Sequence, residues 1–306
     1  MRENIPIIRV RSKSGALVAR DGVILCFFMR RSHGEVVRAV WHALQTYLRA
    51  IPPRSLNWYV ADDGDMLPLD DQGWEHNRKQ ILERPWGIEW LASLSEDPGE
   101  AGGYHFEYGG RRLDDPIFSL DEGATSAVSF SFPTEYLLEH GPAHLRALAL
   151  ELGRELPFSF GYASLAFVSH PGSWYGVRRE LLGLLDRYLG LDLYLLSETA
   201  RVIGPRARGT YWLTFLGPRL LGQLGGTEGL RRHLSFPEVS FEPMEGERLL
   251  LTLGGGPDAL DTEKGAPPPQ YQALAHLLEP YFCEEGGDWP PMTRDFMHRW
   301  LRRLCQ

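Results

Sequence analysis

The stretch PFSFGYASLAF, residues 157–167, predicts a strand at the centre of the fold. Phe158, Phe160 and Tyr162 alternate with small residues, and the alternation resumes after a break between 161 and 164. A period of two is typical of a strand with one buried face, and such a break indicates a bulge or a crossing. We therefore expect a hydrophobic central strand that is interrupted near its middle.

A long helix is predicted after the turn VSHPGS that follows this strand. Apolar residues recur there at steps of three and four, which is the pattern of an amphipathic helix. Gly190 stands where a helix C-terminal cap is usually found. The apolar stripe consists of Trp174, Val177, Leu181, Leu184 or Leu185, and Tyr188.

Strands and helices are intermixed along the rest of the chain. The apolar run VILCFFM at 23–29 predicts a strand covered on both faces, and LNWYV at 56–60 predicts another strand. Apolar residues at steps of three and four predict helices at 34–49, 142–156 and 270–282, and we also expect a helix at 71–84. Links of hairpin length join many of these segments. We therefore predict an α+β fold with a mixed, mainly antiparallel sheet or sheets and helices packed on one face.

The order strand–helix–strand occurs twice, at 23–60 and at 127–167, which suggests two similar halves although their residues are not alike. Glycine, proline and acidic residues cluster at 109–123, as is typical of a boundary. We expect three segments: an N-terminal α+β half at 1–122, a central α+β half at 123–283, and a linker with a C-terminal helix that packs back on the body at 284–306.

Composition and charge disfavour several classes of protein. The chain of 306 residues is 43% hydrophobic and 24% charged, as is ordinary for a globular protein. Its net charge of −8 disfavours a nucleic-acid binder, which normally has a basic face. Its longest apolar run is too short to cross a membrane, and its N-terminus lacks the apolar region of a secretory signal. We therefore expect a cytoplasmic protein.

Two motifs resemble catalytic loops but depart from them. The loop GGGPDALDTEK at 254–264 lacks the GK[ST] that opens a helix in a phosphate-binding loop. It also has Thr262 where metal-dependent nucleases carry an acid two residues before the lysine. GYAS at 161–164 lacks the second glycine of a nucleophile elbow. We interpret the first motif as a loop that joins a strand to a helix, and Ser164 as a small residue packed in a strand.

The histidines and cysteines show no clear metal or catalytic pattern. His140 and His144 have the spacing of a metal pair, but Gly141 and Pro142 lie between them and predict a helix that begins after His140. His33 and Glu35 lack a third candidate ligand in the sequence. We therefore expect no cofactor, no metal and no catalytic group. The three cysteines, expected to be free thiols because of their odd number and spacing, are Cys26, Cys283 and Cys305.

Two acidic segments are the remaining positive signal. They lie at 62–75 and 114–122, and most runs of this kind are only solvated faces. The more specific interpretation is a surface complementary to a basic protein, which would gain association rate and specificity. The candidate partner-binding residues are Asp62, Asp63, Asp65, Asp70, Asp71, Asp114, Asp115, Asp121 and Glu122.

The second half of the chain resembles the TsiV-type immunity family of bacterial type VI secretion systems. The resemblance rests on FSFGYASLAF at 158–167, on the Pro-Gly turn after it, and on the block from Gly209 to Phe282. That block contains GTYWLTFLGPRLLGQLGG and LLLTLGGGPDALDTEKGAPPPQYQALAHLLEPYF. Its specific part is the order of a tryptophan-bearing strand, Gly-Gly, a Gly/Pro loop and a Tyr-headed helix. Residues 1–120 match more loosely.

The resemblance implies a cytoplasmic immunity protein that binds and blocks a cognate toxin, a metal-dependent DNA nuclease of the VRR-NUC type. It identifies no contact residues, so the acidic candidates rest on charge alone. Two alternatives remain open: a small-molecule-binding or hydrolytic α+β enzyme, and a non-catalytic adaptor of the secretion apparatus. The oligomeric state does not follow from the sequence.

Overall fold

The computed structural model describes residues 5–84, 87–169, 178–284, 288–289 and 292–306. The long helix predicted after the central strand therefore falls partly outside them, since Trp174 and Val177 are not described. The strands, in chain order, are β1 (Arg9–Arg11), β2 (Leu17–Met29), β3 (Trp58–Val60), β4 (Met66–Pro68), β5 (Glu89–Ser95), β6 (His105–Arg111), β7 (Ser126–Pro133), β8 (Phe160–Ser169), β9 (Asp192–Leu193), β10 (Leu213–Leu216), β11 (Ser240–Met244), β12 (Arg248–Thr252), β13 (Asp288–Trp289) and β14 (Met292–Thr293).

Twelve of the described strands form one sheet. Its order is β11-β12-β10-β8-β2-β7-β6-β5-β3-β4, with β1 added to β2 and β9 added to β8. The pairs in this sheet are antiparallel apart from β8 with β9. The predicted α+β class with a mixed, mainly antiparallel sheet is thereby confirmed.

The helices of the described ranges lie between these strands. Those predicted at 34–49, 71–84, 142–156 and 270–282 are present, the last ending in a short 3-10 turn. Two helices of seven residues, Thr134–His140 and Leu196–Val202, have no counterpart in the sequence-based prediction. The helices are α1 (His33–Ala50), α2 (Asp71–Leu82), α3 (Thr134–His140), α4 (Pro142–Gly153), α5 (Arg178–Arg187), α6 (Leu196–Val202), α7 (Pro218–Gln223), α8 (Gly226–His233), α9 (Pro269–Leu278) and α10 (Arg294–Leu301).

Helices pack on both faces of the sheet, which corrects our expectation of one face. Side chains of β2 alternate between two hydrophobic clusters, as the period of a strand requires. Val23, Leu25 and Phe27 join the cluster that contains side chains of α1 and α4. Ile24 and Phe28 join the cluster that contains side chains of α6 and α9. The apolar run at 23–29 is therefore covered on both faces, as predicted.

The central strand β8 runs without the expected bulge. Its pairing with β2 keeps one register from Phe160 to Ser169. Gly161 lies opposite Phe27, and a Cβ on this glycine would come within 2.6 Å of the Phe27 ring. Gly161 therefore makes room for the aromatic ring of Phe27 on the neighbouring strand, and it does not interrupt β8.

The first two predicted segments share this sheet. Strand β2 belongs to residues 1–122, yet it lies between β7 and β8, which belong to 123–283. The similarity of two halves and the division at 122 stay predictions. The sheet order shows that β2, a strand of the first segment, lies between two strands of the second.

Candidate partner-binding surface

One face of β5 and β6 is only partly covered by the other described residues. Along β6, Phe106 and Tyr108 point into the core, while His105 and Glu107 point to the opposite side, here called the outer face. Leu91 of β5 lies on the same outer face and is 74% exposed. Together with β3 and the start of α6, this face forms a pocket of about 610 Å³, the β6 pocket. Its lining includes Val60, Asp62, Leu91, Glu107, Tyr194 and Glu198.

A chain of hydrogen bonds ends on Glu107 in the β6 pocket. The hydroxyl of Tyr194 donates to the Glu107 carboxylate, and the Ser129 hydroxyl lies 2.7 Å from the Tyr194 oxygen. A phenol has one proton, so when Tyr194 donates to Glu107 it must accept from Ser129. Ser129 lies directly across from Glu107 on β7. The sheet register and the segment before α6 together hold the carboxylate in place.

The surroundings of Glu107 make it costly to ionise. Burial raises the pKa of this carboxyl to about 7, the hydrogen bond from Tyr194 opposes the rise, and the charge of Glu198 adds to it. Among the described residues, Tyr194 is the one hydrogen-bond donor to Glu107, although a carboxylate can accept about four hydrogen bonds. A group with a strongly shifted pKa in a pocket is a candidate for a functional residue.

Most of the acidic candidates lie on the surface, and their role in partner binding stays a prediction. Asp115 is half-buried and the other eight are exposed. Within the described part of the chain, the ion pairs formed with Lys, Arg and His do not involve any of the nine. Their charges therefore face solvent without a basic partner.

The acidic candidates do not converge on one groove. Asp62 lines the β6 pocket. Asp114 lines a neighbouring groove with His33 and Trp90. Asp70 and Asp71 line a third groove. Four of the nine candidates are therefore divided among three grooves, and the β6 pocket contains Asp62 alone of the nine.

Several of these acids also have local structural roles. Asp70 caps α2 by accepting a hydrogen bond from the Gly73 amide at 2.9 Å. Backbone amides two residues further on donate to Asp63, Asp115 and Asp121 at 2.8–3.1 Å. Such turns are a common reason for aspartate in loops. Part of the acidic composition is therefore explained without a partner.

The catalytic look-alikes found in the sequence have structural partners. Ser164 lies buried in β8 and its hydroxyl donates to the Gly190 carbonyl at 3.0 Å. His144 lies 3.0 Å from the Tyr136 hydroxyl, and Gly141 separates α3 from α4 as predicted. The ring of His33 stacks on Trp90, and burial lowers its pKa to about 4.

Other residues of these motifs are also placed in ordinary structure. The Glu35 carboxylate accepts a hydrogen bond from the Ser32 amide at the start of α1. Lys264 lies in the loop between β12 and α9, as we interpreted it. All three cysteines are free thiols, as predicted.

One group of side chains has the composition of a metal site. Ligand atoms of His276, Glu279 and Cys305 lie within 4.8 Å of one another. Burial, ahead of a contribution from the Glu279 charge, raises the pKa of the Cys305 thiol to about 11. Because metals bind the thiolate, this environment is unfavourable for a cysteine ligand. Sequence reasoning missed the group because Cys305 lies far from the other two along the chain.

Sequence reasoning also missed the residues at the floor of the β6 pocket. Glu107 and Tyr194 are 87 residues apart. The alternation HFEY at 105–108 could have placed Glu107 opposite the core, but it carries no sign that a pocket covers that face.

Among the described residues, no helix has both the length and the apolar character needed to cross a bilayer.

Comparisons with known proteins identify the family. The TsiV family model, described as type VI immunity for VRR-NUC, matches residues 39–304. A solved T6SS protein of Pseudomonas aeruginosa is similar in fold, with a TM-score of 0.80 and 20% identity, over 98% of this chain and 88% of that one. No curated protein matches the sequence. Because the family match spans most of the chain, this protein belongs to the TsiV family of type VI immunity proteins, which act against VRR-NUC nuclease toxins.

Proposed function

We propose that this protein binds its cognate VRR-NUC toxin in the cytoplasm and occludes the active site of the toxin, without catalysing a reaction itself. The observation that carries the proposal is the set of eight exposed carboxylates at 62–71 and 114–122 that have no basic partner among the described residues. A nuclease needs a basic cleft to hold phosphates. Carboxylates on an inhibitor complement such a cleft, and they steer the two proteins together.

The non-catalytic role is supported by what surrounds the catalytic look-alikes. Ser164 donates to a backbone carbonyl, and His33 is packed against aromatic rings. Both side chains thus have a structural use. The same acidic surface repels DNA, so this protein would inhibit cleavage by binding the toxin and not by binding the DNA substrate.

A nuclease assay with the purified toxin tests the proposal. We expect DNA cleavage to fall in proportion to added protein and to stop near one equivalent, and a duplex that cannot be cleaved should compete with the protein for the toxin. Full cleavage in the presence of excess protein would contradict inhibition. Inhibition that the duplex does not relieve would contradict occlusion of the DNA-binding cleft.

The compartment is tested in cells that express the toxin internally. A copy of this protein without an export signal should protect them. A copy directed to the periplasm should leave them sensitive, because it would not meet the toxin. Protection by the exported copy alone would contradict the cytoplasmic assignment.

A further inference from the structure

The β6 pocket has a distinctive chemical composition. Its walls include the apolar side chains of Val60 and Leu91, and Leu91 is 74% exposed. Its floor carries Glu107, and three more carboxylates, Asp62, Glu89 and Glu198, belong to its lining. A long apolar shaft with a positive end matches such a cavity, because lysine and arginine bury their stems along apolar surface while the charged head finds a partner.

Within the described ranges, the Glu107 carboxylate forms no ion pair with a basic side chain. Its one hydrogen-bond donor in these ranges is the neutral Tyr194 hydroxyl. Arg84 also borders the pocket, but its guanidinium donates to Gln80 at 3.2 Å. Glu89, another bordering acid, is already paired with Arg111. Glu107 is therefore a carboxylate that Tyr194 holds in position and that can accept further hydrogen bonds.

The position of the pocket links it to the acidic surface. Asp62 belongs both to its lining and to the loop that contains Asp63 and Asp65. The loop would attract a basic cleft from a distance, and the pocket would hold one side chain of that cleft after contact. Long-range charge acts mainly on association, whereas a buried charged hydrogen bond acts mainly on dissociation.

We infer that the β6 pocket is the anchor point for the toxin and takes a lysine or arginine side chain from the DNA-binding cleft, with Glu107 in the place of a phosphate. This inference rests on the proposed function and assigns one residue of the interface to it. The aliphatic stem lies against Val60 and Leu91, and the cationic head donates to Glu107. An anionic or neutral ligand fits less well, because four carboxylates line the cavity: Asp62, Glu89, Glu107 and Glu198.

The test compares Glu107→Gln with Glu238→Gln in binding kinetics with the purified toxin, in the presence of EDTA so that a metal ion does not contribute. Glutamine keeps the shape of Glu107 and can still accept from Tyr194, but it removes the charge. Glu238 is exposed and lies just before β11, at the opposite end of the sheet, so its variant makes the same charge change away from the pocket. We expect Glu107→Gln to raise the dissociation rate at least about ten-fold and Glu238→Gln to leave it unchanged.

A second variant, Leu91→Lys, places a cation of the chain itself beside the pocket. Leu91 is mostly exposed, so the fold should tolerate the change, and lysine reaches toward Glu107 on the adjacent strand. We expect weaker toxin binding in the wild-type background and a smaller further loss when Glu107→Gln is already present, because both changes remove the same free carboxylate.

The outcomes separate this inference from the proposed function. If wild-type protein binds the toxin and Glu107→Gln dissociates at the wild-type rate, the inference is overturned while the proposed function stands. If wild-type protein does not bind the toxin, both are overturned. A melting temperature of Glu107→Gln at or above that of the wild type shows that weaker binding is not caused by misfolding.

Discussion

Glu107 is a residue whose environment costs the folded protein stability. Its carboxyl faces Glu198 from α6, Tyr194 from the segment before α6, and His105 from its own strand, with Asp62 at the border of the pocket. Burial raises its pKa from 4.5 to about 7 in the folded state. Natural proteins tolerate such a loss of folding stability more readily at a binding site than in a hydrophobic core.

The first prediction follows from this pKa. The folded state holds the Glu107 proton more tightly than the unfolded state. The contribution of this group to the free energy of unfolding is therefore fully present below pH 4.5 and is lost as the pH rises through about 7. Glu107→Gln cannot ionise. We expect the free energy of unfolding of the variant to gain roughly 1–3 kcal/mol relative to the wild type between about pH 5 and about pH 8.

Urea unfolding of both proteins across this pH range measures the difference. Titrating groups that do not interact with Glu107 are common to the two proteins, so their contributions cancel in the comparison. If the free energies of unfolding of the two proteins differ by the same amount at every pH in this range, Glu107 does not titrate there and the prediction is wrong.

At the scale of elements, α2 shows how one acidic residue serves local structure. Asp70 precedes the helix, and its carboxylate accepts the Gly73 amide at 2.9 Å. Acidic residues at this position stabilise a helix by bonding a free amide and by facing the positive end of its dipole. The same charge is also exposed toward solvent, where a partner would meet it.

The second prediction separates these two roles of Asp70. Asp70→Ala should lower the free energy of unfolding by about 1 kcal/mol because the cap is lost. Asp70→Asn should lower it by less, since the amide oxygen still caps the helix. Both variants remove the same charge, so any shared loss of toxin binding reports on electrostatics. Equal stability of Asp70→Ala and the wild type would contradict the capping role.

The third prediction concerns the loop between β3 and β4. Reversing the charges of Asp62, Asp63 and Asp65 to lysine should weaken toxin binding chiefly by slowing association, and it should make association less sensitive to salt. The matched control replaces all three by asparagine, which retains the hydrogen bond that shapes the turn at Asp63. The association rate of this asparagine variant should lie between that of the wild type and that of the lysine variant. Unchanged kinetics across a range of salt concentrations would remove this loop from the interface.

At the scale of the whole molecule, one sheet joins segments from both ends of the chain. Strand β2 contacts β8 on one side and β7 on the other, so its removal would expose two edges and both clusters of the core. Exposed strand edges pair with other chains, and an exposed core drives aggregation. The segments 1–122 and 123–283 are therefore coupled in stability even though each has its own run of strands and helices.

The fourth prediction is that the full chain unfolds in one cooperative transition. Calorimetry should give a van't Hoff enthalpy close to the calorimetric enthalpy, and a fragment of residues 123–306 should lack the folded signal of the complete protein. Two separate transitions, or a fragment that melts cooperatively on its own, would show that the halves are independent domains.

Local pattern was enough to predict most of the elements. Apolar residues at steps of three and four located α1, α4 and α9, and the continuous run at 23–29 correctly predicted a strand covered on both faces. The gap at Gly161 was misread as a bulge because the sequence does not show which side chain lies opposite a small residue. Here that side chain is Phe27 of the neighbouring strand.

By itself, the sequence determined the α+β class, the exposed acidic segments and the family, because these depend on composition, on local periodicity and on the order of motifs. Only the tertiary structure decided which charged residues are buried and which meet in a pocket. Asp192 and Arg208 form an ion pair in which both side chains are 0% exposed, and Glu107 receives a hydrogen bond from Tyr194 87 residues away. Such pairs depend on the order of strands in the sheet and on where α6 packs, and these follow from long-range contacts that no local pattern records.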